Sequence, residues 1–325
     1  MGRTPADGAA PSEYHAAKVL LIGDTADPHI RAVAERLPSQ GTVVIDAASL
    51  PSVMQCMTLE GCIVRDLTGE PTRLALDGPA RGWIRRLAPA GWDSDVVLGT
   101  RNAARLAARM TALAAVLRQP GPEWLCEVDA LFAAENKIVQ YRAARTLGLR
   151  TPATLIGGDP AVLALELGEP YIVKPLGPGN FTGAQGREQV IHTQAVTAAQ
   201  LAGADLLDAP FLAQKLLTAR THLRIVTVAD RAWTAELSAD GLPVDWRQVA
   251  RAHRSFTHSH RWPAVERDAL RLAHHLRTGI SCQDWIVDDT GAAFIDLNPG
   301  GQWLFLPSSL TAQVADHLAA WLQDV

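Results

Sequence analysis

No run of the chain approaches the ~18 consecutive apolar residues of a membrane-spanning helix, so no membrane partner is expected. The N-terminal stretch 1–17 lacks an apolar signal core and reads as a flexible tail. Cysteine is scarce: Cys56, Cys62, Cys126 and Cys282 are scattered without a C-x-x-C pair. That excludes a zinc ribbon or a disulfide frame and fits reduced, mostly buried thiols in a cytoplasmic protein. There is no excess of positive charge, with 30 basic against 34 acidic residues and a formal net charge of −4, so nothing marks a nucleic-acid partner. Internal repeats and low-complexity tracts are absent. Gly23-Asp24-Thr25, after the first apolar run, is no G-x-G-x-x-G fingerprint, so dinucleotide binding gains little support. What remains is an ordinary globular composition, 48% hydrophobic and 20% charged, on 325 residues, too many for one small core.

Periodicity divides the chain into alternating elements. Lys18–Gly23 is a buried strand, 28–37 an amphipathic helix and Thr42–Ile45 a second strand, together a βαβ unit on a parallel sheet. A hairpin is expected over Gly61–Asp66 and Arg73–Leu76, and a strand over Trp83–Leu87. A helix from Asp95 to Leu117 should bury Leu98, Ala104, Leu106, Met110, Leu113 and Leu117, and Gln119-Pro120-Gly121-Pro122 ends it. Helices follow at Glu135–Leu147, from Pro160, at Gln194–Leu201, at Pro263–Thr278 and at Leu310–Leu322. Strands are read at Ala153–Ile156, Tyr171–Pro175, Arg187–His192, Pro210–Leu217, Thr221–Val228 and Arg231–Leu237. The polar stretch 242–256, with Asp245-Trp246-Arg247 inside it, has the character of a mobile loop beside a site.

The residues that carry chemistry gather in the second half. Tyr171-Ile172-Val173-Lys174-Pro175 runs into Leu176-Gly177-Pro178-Gly179-Asn180-Phe181-Thr182-Gly183. A glycine-rich loop after a strand exposes N–H groups that cradle phosphate, and Lys174 supplies a point charge. This is not the Walker pattern, which needs G-K-[ST] opening a helix. Residues 283–299 read as a hairpin turning at Asp289-Thr290-Gly291, with 288 facing 292, 286 facing 294 and 284 facing 296. One face then carries Trp285, Val287, Ala293, Ile295 and Leu297 and is expected inward. The other sets Asp284 opposite Asp296, with Asn298 beyond. Facing carboxylates repel, whereas with an amide oxygen they suit Mg²⁺; a solvated polar face is the plainer alternative. Arg224, embedded between Leu223 and Ile225, needs a carboxylate or phosphate partner. Lys137, at the start of its helix, is by itself an ordinary surface lysine. Arg85 and Arg86 read equally as a solvated strand terminus or as an anion or peptide contact, and His253, His258 and His260 as a solvated loop face rather than metal ligands.

In this order, Lys137, Lys174 with its loop, Gln214-Lys215-Leu216-Leu217, Arg224 and the Asp284/Asp296/Asn298 set resemble the ATP-grasp ligases. The likeness implies an α/β chain of the α+β ATP-grasp type. An N-terminal βαβ pre-ATP-grasp domain (18–119) would precede two α+β subdomains that clamp ATP, a central one (120–205) with the glycine lid and a C-terminal one (206–325) with the metal site. It implies ATP held by Lys137, Lys174, Gly177, Gly179 and Asn180 at the phosphates and by Gln214, Lys215, Leu216 and Leu217 at the adenine, and Mg²⁺ on Asp284, Asp296 and Asn298. Asp296 is one methylene shorter than the Glu usual there. Arg224, Lys174 and Arg247 would be the catalytic groups. Asn298-Pro299-Gly300-Gly301-Gln302-Trp303-Leu304 is similar to the tail of graspetide synthetases, the microviridin-type maturases of ribosomal peptides. Asp245-Trp246-Arg247 and Trp83-x-Arg85-Arg86 also resemble members of that group. The implied activity is ATP-dependent activation of a side-chain carboxylate of a precursor peptide (leader plus core), followed by closure of an ω-ester or ω-amide ring; a homodimer is allowed. The competing expectations are an ATP-grasp ligase joining separate molecules and a nucleotide-binding module without turnover.

Overall fold

A computed structural model describes residues 14–75, 78–89, 91–92, 96–177, 180–182, 188–190, 192–202 and 210–324, the pairs 180–182 and 188–190 by their backbone alone. The chain forms two compact units, one reaching Val128 and resuming at Ala315, the other Asp129–Val314. Among the described residues no helix is long and apolar enough to cross a membrane.

In the first unit, the apolar runs Thr42–Ile45, Val19–Ile22 and Ala80–Ile84 lie side by side in a parallel sheet completed by Pro122–Trp124. The helix linking the first two covers Pro28–Ala34, capped by Asp27 and opened by its proline. Gly82 is compelled here, since a Cβ would sit 2.2 Å from the Trp124 ring. The hairpin Gly61–Arg65/Pro71–Ala75 forms as expected. The tail ends sooner than 1–17: His15–Ala16 pairs in parallel with Thr72 and Arg73, and Ala17 is buried; residues 1–13 lie outside the described ones. The long helix begins at Arg101, where Thr100 caps it, and Asp95 is outside the described residues. Of its expected inner face Leu113 and Leu117 are buried, whereas Leu98 lies before the helix and is 91% exposed and Ala104 is also exposed. Periodicity identified a face without telling how far a partner surface extends along it.

Among the described residues the second unit holds two larger antiparallel sheets besides the short pair Asn180–Thr182 and Glu188–Val190. One runs Gln194–Val196, Tyr171–Lys174, Phe211–Lys215, Thr154–Gly157; the other runs Thr257–Ser259, Arg231–Ser238, Thr221–Val228, Ile280–Asp288, Gly291–Asn298. The helix expected over 194–201 starts only at Ala198. Thr197 and Gln200 form a capping box, each backbone N–H donating to the other's side chain at 2.9 and 3.3 Å, which leaves 194–196 to pair as an edge strand. The helix Pro263–Leu276 buries Val265, Ala269, Leu272, Ala273 and Leu276 as its pattern predicts. Around it, Tyr141, Leu223, Ile225, Trp285, Phe294 and Leu297 close the core, with Phe294 edge-on to both Trp285 and Tyr141 at 5.6 and 5.7 Å.

Candidate active site

A cavity of about 460 Å³ lies wholly within the second unit and is lined by Lys137, Lys174, Arg247, Asp284 and Asp296 on one side. The remaining wall is largely apolar, including Pro152, Ile172, Leu216, Leu217, Leu223 and Ile286. Its polar side is organised by one row of the larger sheet. Arg224 faces Asp284, and Asp284 faces Asp296, across three adjacent strands. Directly opposed carboxylates repel, and each is neutralised from elsewhere. Arg224 donates to Oδ1 of Asp284 at 2.8 Å, and Lys137 to Oδ1 of Asp296 at 2.6 Å. Burial works to raise the Asp296 carboxyl, but Lys137 and Lys174 outweigh it and hold the group below the ordinary carboxylate range.

The expected pairing of 284 with 296 is present, but the rest of the register is not as read. Asp288 pairs with Gly291, Val287 with Ala292, Ile286 with Ala293 and Trp285 with Phe294, so a bulge at Ile295 is needed before Asp296 meets Asp284. The turn is one residue tighter than expected, and Asp288 braces it by accepting from the Thr290 N–H and hydroxyl while Arg150 grips both its oxygens. The consequence corrects the assigned faces. Phe294 joins Trp285 and Leu297 in the core cluster, Ala293 is fully buried outside that cluster, and Ile295 lines the cavity.

The helix Lys137–Thr146 clips this bulge. Positions 137, 140 and 141 share one helical face, and they engage three consecutive residues of the strand. Tyr141 donates its hydroxyl proton to the carbonyl of Ile295, Lys137 pairs with Asp296, and Gln140 both donates to and accepts from the backbone of Leu297 at 2.7 and 3.0 Å. Asn136 caps the helix by accepting from the N–H groups of Ile138 and Val139, which fixes the first turn that carries Lys137.

Two further cations face the cavity. Lys174, at the end of its strand, is 8% exposed, and burial pushes its ammonium down to about 8, with Asp296 pulling the other way. Its Nζ donates to the Ile295 carbonyl at 3.4 Å. Arg247 is held as a fork: Nε and Nη2 donate to the two oxygens of buried Asp245 at 2.7 and 2.9 Å. Asp245 also accepts from the Thr193 N–H at 3.2 Å. Trp246 between them packs with His253, Phe256 and Phe305. The loop read as polar and mobile is thus anchored by an aromatic cluster, and His253 belongs to that cluster instead of a solvated face.

Of the residues singled out from sequence, Lys137, Lys174, Gly177, Gln214, Lys215, Leu216, Leu217, Arg247, Asp284 and Asp296 all line the cavity. Asn180 is described by its backbone, paired with Val190, and Gly179 lies outside the described residues. Arg224 and Asn298 are not among the lining residues. Arg224 is buried behind Asp284, where it also donates to the Gln302 carbonyl at 3.2 Å and lies 5.9 Å from the Phe305 ring. Asn298 is exposed and accepts from the Gly301 N–H at 3.1 Å through its side-chain oxygen, shaping the turn that presents Gln302 to Arg224. Arg85, read equally as solvated, is instead buried beside Asp27, 3.3 Å from its carboxylate. Sequence reading did not find Gln140, Tyr141, His192, Thr193 or His222; of these, only the i, i+3, i+4 spacing of Lys137, Gln140 and Tyr141 was there to be seen.

No family model matches the chain, and no curated protein does so. Solved structures are similar. A Chryseobacterium gregarium RiPP-associated ATP-grasp ligase in complex with ADP and a leader and core peptide is 20% identical, with 94% of this chain and 96% of that chain covered at a TM-score of 0.80. Macrocyclase MdnC bound with precursor peptide MdnA, from Microcystis aeruginosa, is 21% identical over 94% and 99%, TM-score 0.75. ATP-grasp ligase PsnB complexed with minimal precursor, Mg and ADP is 20% identical over 95% and 99%, TM-score 0.70.

Proposed function

We propose that this chain, which has the fold of ATP-grasp ligases, is an ATP-dependent ligase that closes an ω-ester or ω-amide ring in a ribosomally made precursor peptide. The observation that carries the reading is one cavity where Lys137, Lys174 and Arg247 converge on facing Asp284 and Asp296, beside a largely apolar wall. The neighbours of the same fold that hold ADP, Mg or peptides support it.

In this reading Leu216, Leu217, Ile172 and Ile286 enclose the adenine, and Lys137 and Lys174 hold the phosphates. The γ-phosphoryl group passes to a carboxylate oxygen of the peptide, giving an acyl phosphate and ADP. A hydroxyl or amine of the same peptide then attacks the carbonyl carbon, phosphate leaves, and the peptide is shorter by one water per ring. Such chemistry needs positioning and charge stabilisation rather than a protein nucleophile. Arg247, facing the cavity, is placed to stabilise the acyl phosphate, while Arg224 acts through Asp284.

Asp284 and Asp296 offer carboxylate oxygens, and Oδ2 of each lies outside the two ion pairs, so the residues fit a hard divalent ion. Asp284 and Asp296 would hold it, whereas Asn298, expected from sequence as a third ligand, spends its side-chain oxygen on the Gly301 N–H. When bound it neutralises charge on the phosphates. The reading is tested by incubating the protein with ATP, Mg²⁺ and the peptide encoded beside its gene, then weighing the peptide. Loss of one water per ring, abolished by Asp296→Asn, is expected. A mass gain, or ADP release with the peptide unchanged, would sink it.

A further inference from the structure

Lys137 holds one of the two carboxylates read above as metal ligands. Its ammonium is 2.6 Å from Oδ1 of Asp296, so its charge neutralises that carboxylate and opposes a second cation while Oδ2 stays open. The two counter-ions of the carboxylate pair also differ in how firmly they are held. Arg224 donates at once to Asp284 and to the Gln302 carbonyl, lies over Phe305, and its side chain is 9% exposed. Lys137 stands in the first turn of its helix, its side chain is 20% exposed, and Asp296 is the partner that its ammonium shows among the described residues. A lysine head is a compact charge on a flexible stem. Lys137 also lines the cavity, so it can pass from Asp296 to a phosphate without leaving it. Finally, among the described residues no three His, Cys, Asp or Glu side chains gather as a metal cage. Two carboxylates need phosphate oxygens to complete a Mg²⁺ shell.

We propose that Lys137 is a movable counter-ion that closes the metal site until nucleotide arrives, so that metal and nucleotide enter as a pair. The inference rests on the reading of Asp284 and Asp296 as metal ligands given above. A bound phosphate draws Lys137 away, and Asp296 offers the ion its full negative charge. A bound ion, by displacing Lys137, makes it available to phosphate. The coupling is therefore mutual and equal in both directions, as linkage requires. Arg224 stays in place throughout and keeps Asp284 oriented.

Mn²⁺ titrated alone and with ADP, followed by electron paramagnetic resonance, reads the coupling without turnover. The wild-type protein should take up Mn²⁺ weakly alone and tightly with ADP. Lys137→Met should bind Mn²⁺ alone more tightly by roughly tenfold or more, and the enhancement by ADP should shrink. Lys137→Arg, which keeps a cation on Asp296, should remain as closed as the wild type. Asp296→Asn should lose the site in every case. If the wild type takes up no Mn²⁺ even with ADP, or Asp296→Asn binds as well as the wild type, the metal assignment fails and this inference with it. If the wild type needs ADP and Asp296 but Lys137→Met gains nothing, the metal site stands and the closing role of Lys137 is wrong. Melting curves of both Lys137 variants guard against misfolding, and a folded Lys137→Arg that opens the site would equally overturn the proposal.

Discussion

Lys174 carries a pH dependence whose sign follows from its burial. The ammonium is pushed from an ordinary 10.5 down to about 8. Between those values the unfolded chain holds a proton that the folded one has shed, so this residue makes stability rise with pH across that window. Phosphate binding asks for the opposite, a charged lysine. ADP affinity is therefore expected to fall as pH rises through about 8, measured by calorimetry, with proton uptake on binding near that pH. Lys174→Met should weaken binding and flatten the profile; a variant that keeps the same inflection would assign it elsewhere. Lys174 was legible in the sequence because a strand, a lysine and a glycine loop are adjacent there. Tyr141 and Gln140 were not, because their partners are backbone atoms 154 and 157 residues away, and no side-chain pattern records a carbonyl.

At the scale of the element, the helix Lys137–Thr146 and the strand Gly291–Asn298 act as one part. Gln140 is fully buried, and its amide satisfies both the N–H and the carbonyl of Leu297. Gln140→Leu strands those groups, at a cost on the order of 1–3 kcal/mol. Because the same helical face holds Asp296, the substitution is also expected to weaken ADP-dependent Mn²⁺ uptake. Denaturant unfolding and the titration together check this, and lost stability with unchanged uptake would make the clip purely structural. The strands themselves were readable from alternation, and so was the pairing of the two carboxylates. The bulge was not, since turn residues compatible with a two- or three-residue connection look alike in sequence. Its presence is decided by packing: Phe294 fills the core between Trp285 and Tyr141 better than Ala293 would.

For the whole molecule, the alternation of strands and helices announced an α/β architecture, and the apolar runs announced the parallel sheet of the first unit. The contribution of the last helix to that unit was hidden, because its pattern shows an inner face without naming what covers it. There Arg81 donates to the Trp321 carbonyl at 2.7 Å and lies over the Trp321 ring. His29, in the first unit, is pushed down to about 4 by burial, with neighbouring Arg85 adding to it. From pH 6.5 to about 4 the unfolded chain takes up a proton that the folded one refuses, so stability falls with acidity, by roughly 3 kcal/mol at the limit. Asp27, held below its ordinary range by Arg85 and His29 against its burial, acts in the same direction. Amides of Val19–Ile22 should therefore lose hydrogen-exchange protection as pH falls from 6.5 to about 4, and His29→Gln should lessen that loss. An identical loss in His29→Gln would disprove it.

The bulge at Ile295 bears on how related chains are to be aligned. In a regular strand, a one-residue gap sends every following side chain to the opposite face. Here the ladder has already absorbed a residue between Phe294 and Asp296. A relative lacking position 295 would keep Phe294 inward and its carboxylate opposite Asp284, and would lose the carbonyl that Tyr141 and Lys174 share together with one apolar side chain of the cavity. A gap at this point is a missing acceptor, not a missing carboxylate.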